Sequence, residues 1–304
     1  MKDLGIDLGY ATAWRAVKTL PAPLARQLFA RTADLAVRRN GPSVRQLRRN
    51  LTRILPADAD LDAAVHASMR SYARYWLETF RLPVMKHADV IAGMQSNGLE
   101  NLEKSIAAGH GTILALSHSG NWDASGLWLV DWGQPFTTVA ERLKPESLFD
   151  RFVAYRESLG MRVLPLTGGE RNPFDVLTER LRANEVICLL SDRDLSRRGV
   201  EVQFFGEATR MPPGPALLAV STGAALLPVN LSFTPHGWRQ DVEARIEVPA
   251  SDGSARARLA QVRQMTQALA DSFAASIAAH PHDWHMLQKL WLADLPPRPH
   301  SQPN

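Results

Sequence analysis

The chain has little cysteine and no internal repeat, which argues against a disulfide-stabilised protein and against a repeat protein. Its 304 residues include one cysteine, Cys188, so no disulfide can form within the chain and a reducing compartment is expected. Cys188 lies in the apolar run 186–190 and is interpreted as a small buried side chain. No internal repeat, low-complexity tract or long linker is present, so nothing in the sequence requires a second independent domain.

Long hydrophobic runs are also missing. No stretch of about eighteen or more apolar residues occurs, so no segment is expected to cross a bilayer and any membrane contact should be peripheral. The chain starts with Asp3 and Asp7 where a secretory signal would need a basic residue followed by unbroken apolar sequence. We therefore expect no secretion signal.

Positive charge, in contrast, is concentrated near the N-terminus. Residues 1–90 contain fifteen Lys or Arg and eight Asp or Glu, whereas the whole chain has a net charge of only +4. Much of the excess comes from Arg38, Arg39 and the segment 45–53, where apolar residues are interleaved. This pattern suits either an anionic lipid surface or a solvated helix face. Nucleic acid is not an expected partner, because no aromatic stacking platform accompanies the arginines.

The spacing of apolar residues changes near residue 110. Before it, they recur three and four residues apart, as in amphipathic helices, and Pro83 ends the last of these helices. After it, short apolar runs alternate with helical stretches, which is typical of a mainly parallel sheet flanked by helices. The predicted strands are 111–117, 136–140, 161–166, 186–191, 226–231 and 241–248.

These patterns predict an α/β fold with an N-terminal helical layer. An amphipathic helix over 255–279 is expected to close the fold. We assign residues 1–295 to one domain, with 1–90 as its membrane-facing helices, and residues 296–304 to a disordered, Pro-rich tail.

A polar turn follows the predicted strand 111–117. Its first residue is His118, and ligands bind at the carboxyl ends of strands in open α/β sheets. Asp123, five residues later, could hold one imidazole nitrogen and leave the other free as a general base. The alternative is that Asp123 only caps the next helix, since nine histidines and 31 acids produce about one such pair by chance. The placement in a strand-to-helix turn favours the catalytic interpretation.

The segment 118–123, His-Ser-Gly-Asn-Trp-Asp, resembles the His-x4-Asp motif of the lipid A biosynthesis lauroyl and myristoyl acyltransferase family. Within that family the sequence is similar to the actinobacterial phosphatidylinositol mannoside acyltransferases, and the resemblance covers roughly residues 8–295. The other segments that carry it are 140–146, 191–194, 202–210 and 283–288.

The resemblance implies that His118 is the general base that takes a proton from a sugar hydroxyl as the hydroxyl attacks the acyl-CoA carbonyl. In the phosphatidylinositol mannoside enzymes a glutamate pairs with this histidine, and its position falls on Asp192 here. Because aspartate is one methylene shorter, either its loop lies closer to His118 or Asp123 shares the orienting role. Asp192 could instead be only an ion-pair partner of Arg193 or Arg156.

The resemblance also implies that His118 contacts the acyl-CoA donor. Arg156 would bind its pantetheine arm or a phosphate, with an exposed helical arginine as the alternative. A helix N-terminus expected within 211–215 would present free amides to an anion. The remaining candidates for donor contact are Arg193, Arg198, Thr209, Arg210 and Ser221.

Other chemistries lack their residues. Ser117 and Ser119 stand outside a Gly-x-Ser-x-Gly frame and Cys188 lies in a predicted strand, so direct transfer is expected rather than an acyl-enzyme. No metal is expected, and the only co-substrate is acyl-CoA, with no further cofactor. One polar cluster matches no metal-ligand spacing and is interpreted as a surface turn: His280, His282, Asp283 and His285.

The resemblance therefore implies transfer of a long, palmitoyl-like chain from acyl-CoA to a mannose hydroxyl of phosphatidylinositol mannoside. We expect a peripheral enzyme on the cytoplasmic face of the plasma membrane, held to anionic lipid by its N-terminal helices. The alternatives are acylation of another glycolipid such as a lipid A precursor, from CoA or acyl carrier protein, a thioesterase, or a non-catalytic lipid-binding protein. A buried chain of about sixteen carbons offers on the order of 10 kcal/mol. Candidate groove or interface residues are Trp14, Trp76, Trp122, Trp128 and Trp132.

Overall fold

Seven strands form one mostly parallel sheet in a computed structural model, which describes residues 14, 17–142, 144–196 and 198–296. Their order across the sheet is β1-β9-β8-β2-β5-β3-β4, and only β8 and β9 run antiparallel to each other. The strands are β1 Met94–Asn97, β2 Thr112–Leu116, β3 Phe136–Ala140, β4 Arg162–Pro165, β5 Val186–Leu190, β8 Ala225–Phe233 and β9 Trp238–Val242.

A separate hairpin and a set of helices complete the described chain. The hairpin pairs β6 Val200–Phe204 with β7 Glu207–Met211. The helices are α1 Ala22–Arg39, α2 Pro42–Ile54, α3 Leu61–Arg81, α4 His87–Gly93, α5 Leu99–Ala107, α6 Trp122–Asp131, α7 Glu146–Ser158, α8 Pro173–Arg182, α9 Gly214–Thr222 and α10 Ala255–Ala279.

The central strand β2 is apolar on both faces because helices cover both sides of the sheet. Ile113 and Ala115 pack in a core with side chains of α2, α8, α9 and α10, whereas Leu114 and Leu116 pack with α5 and α6. Successive strand residues point to opposite faces, so an unbroken apolar run is what a doubly covered strand requires. The predicted α/β fold with flanking helices and an N-terminal helical layer is thereby confirmed.

Most predicted elements lie where the spacing of apolar residues placed them. The strand 136–140 and the helix 255–279 have the predicted bounds, and the α3 helix ends at Arg81, next to a short 3₁₀ turn that contains Pro83. No helix among the described residues combines the length and apolarity needed to cross a bilayer. The tail beyond Pro296 and the acidic start of the chain lie outside the described residues.

The last strand differs from its predicted bounds, 241–248. A short turn joins β8 to β9, so pairing begins between Phe233 and Trp238 and ends at Val242. Beyond it, Ile246 forms only an isolated bridge with Leu226. The apolar alternation after Val242 therefore does not continue the strand.

Two other elements were not predicted from the sequence. β1 is only four residues long, and its pattern Met-Gln-Ser-Asn is mostly polar. The β6–β7 hairpin turns at Phe205 and Gly206, which both have positive φ angles. A two-residue turn of this kind usually carries Asn-Gly or Asp-Gly, so its sequence signal is weak here.

Candidate active site

The register of two parallel strands places His118 beside Asp192. Leu116 at the end of β2 pairs with Leu190 at the end of β5. His118 and Asp192 each stand two residues beyond these partners, so both leave the sheet at the same edge. The Ser191 amide donates to the Leu116 carbonyl at 2.7 Å, which carries the pairing into the turn.

The Asp192 carboxylate holds His118 at two points. Asp192 Oδ1 lies 2.5 Å from His118 Nδ1, and Oδ2 accepts from the His118 amide at 3.0 Å. The indole Nε1 of Trp284 also donates to Oδ2, at 3.0 Å. Asp192 is fully buried. The short distance between Oδ1 and Nδ1 shows that the loop lies close enough for the shorter carboxylate to reach the ring.

The charge state of Asp192 decides which nitrogen of His118 is basic. Burial acts to raise the pKa of Asp192, but the charge of His118 and the hydrogen bonds from His118 and Trp284 lower it below its ordinary value. An ionised carboxylate can only accept, so Nδ1 of His118 carries the proton. Neutral His118 therefore has its lone pair on Nε2. The side chain is partly exposed, so a substrate can reach it.

Asp123 takes a different role from the one its spacing suggests. Its Oδ1 accepts from Arg156 Nε at 2.8 Å, and its Oδ2 accepts from the Tyr75 hydroxyl at 3.2 Å. Burial disfavours the charge on Arg156, but Asp123 raises its pKa above the ordinary value. Arg156 is therefore a mostly buried ion-pair partner and not an exposed helical arginine. The cap of α6 is Asn121, whose side chain accepts from the Ala124 amide at 3.0 Å.

An apolar cavity lies beside this ion pair, between α6 and the sheet. Trp122, Asp123 and Arg156 form part of its wall. The rings of Trp122 and His118 form a T-shaped contact with centroids 5.6 Å apart, so the cavity adjoins the candidate base. The other residues of the wall are Leu102, Leu114, Leu116, Ser125, Gly126, Trp128, Leu129, Phe136, Thr138, Val139, Met161, Cys188, Leu190, Val229, Gln240 and Val242.

A segment near the C-terminus, the strap 283–285, lies against the turn that begins at His118. The Gly120 amide donates to the Asp283 carbonyl at 2.9 Å, and the His285 amide donates to the His118 carbonyl at 2.8 Å. Between these bonds, Trp284 is fully buried and forms an isolated bridge with Ser119. The strap therefore supports both the backbone of His118 and the carboxylate of Asp192.

The prediction of a surface turn at this position is wrong for His285. Its side chain is buried, because the adjacent Trp284 anchors the strap in the core. Ser71 Oγ donates to Asp283 at 2.8 Å and lies 3.1 Å from His285 Nε2, so Nε2 is the donor in that contact. Burial lowers the pKa of His285 to about 3, which keeps its ring neutral at physiological pH.

Comparison with known proteins assigns the family. A family model described as bacterial lipid A biosynthesis acyltransferase matches residues 3–293. The chain belongs to this family.

Individual relatives carry the comparison further. The chain is 54% identical over 292 residues to a protein of Mycolicibacterium smegmatis named phosphatidylinositol mannoside acyltransferase, covering 95% of this chain and 92% of the relative. It is 54% identical over 293 residues to the Mycobacterium tuberculosis protein of the same name, covering 95% and 89%. A lipid A biosynthesis acyltransferase of Haemophilus influenzae is 26% identical over 156 residues, which is 51% of this chain and 48% of the relative.

Two of the arginines expected at the family's donor site lie in loops at the His118 edge of the sheet. Arg193, next to Asp192, donates to Glu141 at 2.9 Å and so joins the loops that follow β3 and β5. Arg198 is exposed in the same loop as Arg193. Both remain available as candidates for a phosphate-bearing donor.

The other three expected donor contacts are placed elsewhere. Thr209 is buried, and its hydroxyl donates to the Leu290 carbonyl at 2.8 Å. Arg210 lies 3.6 Å from Glu201 across the β6–β7 hairpin, and Ser221 is exposed near the end of α9. Among the described residues no hydrogen bond joins these three to His118, and their contact with a donor stays a prediction.

The candidate nucleophiles are poorly placed for an acyl-enzyme. Ser117 and Ser119 are buried, and their hydroxyls bond to each other at 2.9 Å. Cys188 faces the cavity, but burial raises the pKa of its thiol. The thiolate that would attack a thioester is therefore disfavoured.

Two residues of this site were not named from the sequence. Tyr75 belongs to a stripe of apolar and aromatic side chains on α3, where the spacing indicates core and nothing more. Trp284 lies in one of the segments that carry the family resemblance, and this was the available signal. Neither contact could be derived from spacing, because each partner is more than 40 residues away in sequence.

Proposed function

We propose that this protein transfers a long fatty acyl chain from acyl-CoA to a mannose hydroxyl of phosphatidylinositol mannoside. The observation that carries the proposal is the His118–Asp192 pair beside an apolar cavity. The Mycolicibacterium and Mycobacterium relatives are named for this acceptor and match nearly the whole chain.

His118 acts as the general base and Asp192 orients it. Nε2 of His118 takes the proton of the sugar hydroxyl while the hydroxyl oxygen attacks the thioester carbonyl. The tetrahedral intermediate then collapses, the carbon–sulfur bond breaks, and the imidazolium returns the proton to the leaving thiolate. Asp192 stabilises the imidazolium between these steps. General-base catalysis of this kind typically contributes about 10²–10⁴-fold to the rate.

The acyl chain occupies the apolar cavity. Its wall is mostly Leu, Val and aromatic side chains, and each methylene buried there contributes about 0.8 kcal/mol. Trp122 lines the cavity and faces His118, so a chain in the cavity brings its thioester to the base. The buried Asp123–Arg156 pair holds the first turn of α6 against α7 at this end of the path.

Acyl-CoA is the proposed donor, and no other cofactor is required. Arg193 and Arg198 stand in the loop next to Asp192, where they can meet the phosphates of CoA as the acyl chain enters the cavity. An acyl carrier protein would need a broad basic surface around the same opening, whereas CoA needs only a compact phosphate site.

The membrane contact is proposed for one face of α1 rather than for the basic segment 45–53. Arg48 of that segment pairs with Asp62, and Arg53 with Asp294. On α1, three leucines are exposed at helical spacing on one face, with basic residues beside them. The members of this α1 face are Leu24, Leu28, Arg31, Leu35, Arg38 and Arg39.

The face predicts peripheral binding to anionic bilayers, and the cytoplasmic side of the plasma membrane is the proposed location. Replacing Leu24 and Leu28 with Asp should reduce sedimentation with vesicles that contain phosphatidylinositol. Leu259 on α10 is also exposed, to a somewhat greater extent, and its replacement with Asp is the control. Equal loss in both variants would contradict the assignment of this face.

Another glycolipid, such as a lipid A precursor, is the second candidate acceptor. The Haemophilus relative named for lipid A biosynthesis matches about half of the chain at 26% identity. The relatives named for phosphatidylinositol mannoside match nearly all of it at 54%. The longer and closer match favours the mannoside.

Mass spectrometry of reaction products tests the proposal. The protein is incubated with palmitoyl-CoA and a panel of mannosylated and glucosamine lipids. We expect one added acyl chain on the phosphatidylinositol mannoside, loss of this product in His118→Ala, and its retention in His110→Ala, which changes an exposed histidine.

Three other results would each contradict the proposal in a different way. Hydrolysis of palmitoyl-CoA that is unaffected by any acceptor would identify a thioesterase. A product only on the glucosamine lipids would identify the second acceptor class. Donor binding without turnover in the parent protein would identify a non-catalytic lipid-binding protein.

A further inference from the structure

Trp284 is the residue of the strap whose side chain touches the catalytic pair. It is fully buried, and its indole Nε1 donates to Asp192 Oδ2 at 3.0 Å. Its ring packs against Phe204 and Trp291, each at a centroid distance of 6.0 Å. Because the strap is hydrogen-bonded to the backbone of His118, the indole of Trp284 and the His118 residue keep a fixed position relative to each other.

The two oxygens of Asp192 have different surroundings. Oδ2 accepts two N–H groups, from the His118 amide and from Trp284, whereas Oδ1 contacts the His118 ring. Two donors in different directions fix Oδ2 and so direct Oδ1 at Nδ1. With one donor removed, the carboxylate can rotate about its Cβ–Cγ bond, and the ring of His118 loses its fixed orientation.

We infer that Trp284 is a positioning residue for the transfer reaction: its indole N–H holds the Asp192 carboxylate in the orientation that aligns His118. The inference rests on the proposed function, in which His118 is the base. It assigns to the strap a part in catalysis that goes beyond packing.

A matched pair of variants tests it. Trp284→Phe removes the indole N–H and keeps most of the buried ring. Trp291→Phe makes the same change in the adjacent ring, which is also fully buried and whose Nε1 donates to the Phe204 carbonyl at 3.0 Å. Both variants lose one buried hydrogen bond and similar ring area, but only Trp284 touches Asp192.

We expect Trp284→Phe to lower kcat about 10- to 100-fold, the range for one hydrogen bond to a charged group. KM for palmitoyl-CoA and for the acceptor should stay near the parent values, because Trp284 is not among the described residues that line the cavity. Trp291→Phe should keep kcat near the parent value while losing similar thermal stability. Equal kcat in the two variants would overturn the inference.

A spectroscopic measurement gives a readout that does not depend on activity. In protein with ¹⁵N-labelled histidine, the His118 Nδ1 proton is identified as the resonance that His118→Gln removes. We expect this resonance to move or broaden in Trp284→Phe and to stay in place in Trp291→Phe. An unmoved resonance in Trp284→Phe would also overturn the inference.

Two provisions keep the test decisive. If Trp284→Phe does not fold, 3-benzothienylalanine at position 284 replaces the N–H by sulfur at nearly constant ring size, and the same results are expected. If the parent protein transfers no acyl chain, the proposed function fails, and the resonance comparison still decides whether Trp284 positions the pair.

Discussion

Replacing Asp192 with asparagine should disable His118 as a base while leaving the shape of the site almost unchanged. The carboxylate accepts three N–H groups: the Nδ1–H and the amide of His118, and the indole of Trp284. An amide offers one oxygen and one NH₂ group in the same space. Placing its oxygen at the Oδ2 position keeps two of the bonds and turns the NH₂ toward Nδ1 of His118.

That arrangement reverses the tautomer of the imidazole. Nδ1 must then accept, so the proton of neutral His118 moves to Nε2, the nitrogen that acts as the base in the proposed mechanism. A base with the wrong tautomer has lost about 10⁴-fold in kcat in the analogous Asp-to-Asn change of a serine protease. We expect a loss of about 10³- to 10⁴-fold in Asp192→Asn, with a small change in the free energy of unfolding.

Asp123→Asn should show the opposite pattern. Asp123 is buried and paired with Arg156, whose side chain is 17% exposed. Removing one partner of a buried ion pair leaves the other charge uncompensated, at a cost of about 3–5 kcal/mol in the free energy of unfolding. Because Asp123 does not touch His118, the loss in kcat should be smaller than in Asp192→Asn.

Two assays on the same preparations separate the roles. Transfer of palmitate to the acceptor gives kcat, and urea unfolding gives stability. The reasoning is refuted if Asp192→Asn keeps more than about a tenth of the parent kcat. It is also refuted if Asp123→Asn loses as much activity as Asp192→Asn with unchanged stability.

Three further predictions follow from buried groups. The ring of His285 is neutral in the folded protein and takes up a proton when the protein unfolds below pH 6.5. The free energy of unfolding of the parent should therefore fall between pH 7.5 and pH 5 by about 2 kcal/mol more than that of His285→Gln. Urea titrations at the two pH values measure this difference. A Cβ on Gly126 would meet Met161 Cε at 2.6 Å, so Gly126→Ala should push that side chain into the cavity and lower kcat/KM about fourfold for each methylene that no longer fits. Cys188→Ala should keep transfer activity, because the proposed direct transfer does not use the thiol, whose pKa is raised by burial.

Each of the three has its own control. If the free energy of unfolding changed with pH in the same way in His285→Gln and in the parent, the His285 ring would not take up a proton on unfolding, and the prediction would be wrong. Gly41→Ala, where the added Cβ meets nothing within 4 Å, should leave kcat/KM unchanged, and a loss of kcat/KM equal to that of Gly126→Ala would contradict the cavity assignment. An acyl group on Cys188, detected by mass spectrometry after the parent protein is incubated with palmitoyl-CoA and no acceptor, would contradict direct transfer.

Local patterns explain why much of the fold could be predicted. The strand 136–140 and the helix 255–279 have the predicted bounds, because residues that face one core repeat at two or at three to four positions. The predicted strand beyond Val242 was wrong: Ile246 continues the apolar alternation, but it forms only an isolated bridge and lies outside the paired strand. Alternation reports which side chains are apolar and not whether a neighbouring strand is present.

The candidate site was predicted only in part for the same reason. His118 could be located because it ends an apolar strand, and the family resemblance named Asp192. The sequence left Asp123 as a competing candidate for orienting His118, and the structure places its carboxylate on Arg156 and Tyr75. The surface turn predicted around His285 is a buried strap, since the burial of Trp284 depends on contacts with distant elements.

The sequence by itself determined the parts of this protein that depend on neighbours along the chain: the apolar strand β2, the turn that exposes His118, and the family that its segments match. Tertiary structure alone decided which groups meet there. β2 pairs with β5 although β3 and β4 lie between them in sequence, and that register sets Asp192 beside His118. The strap adds Trp284 from 92 residues beyond Asp192. Strand order and long-range packing depend on how the whole core is filled, and short-range periodicity does not record them.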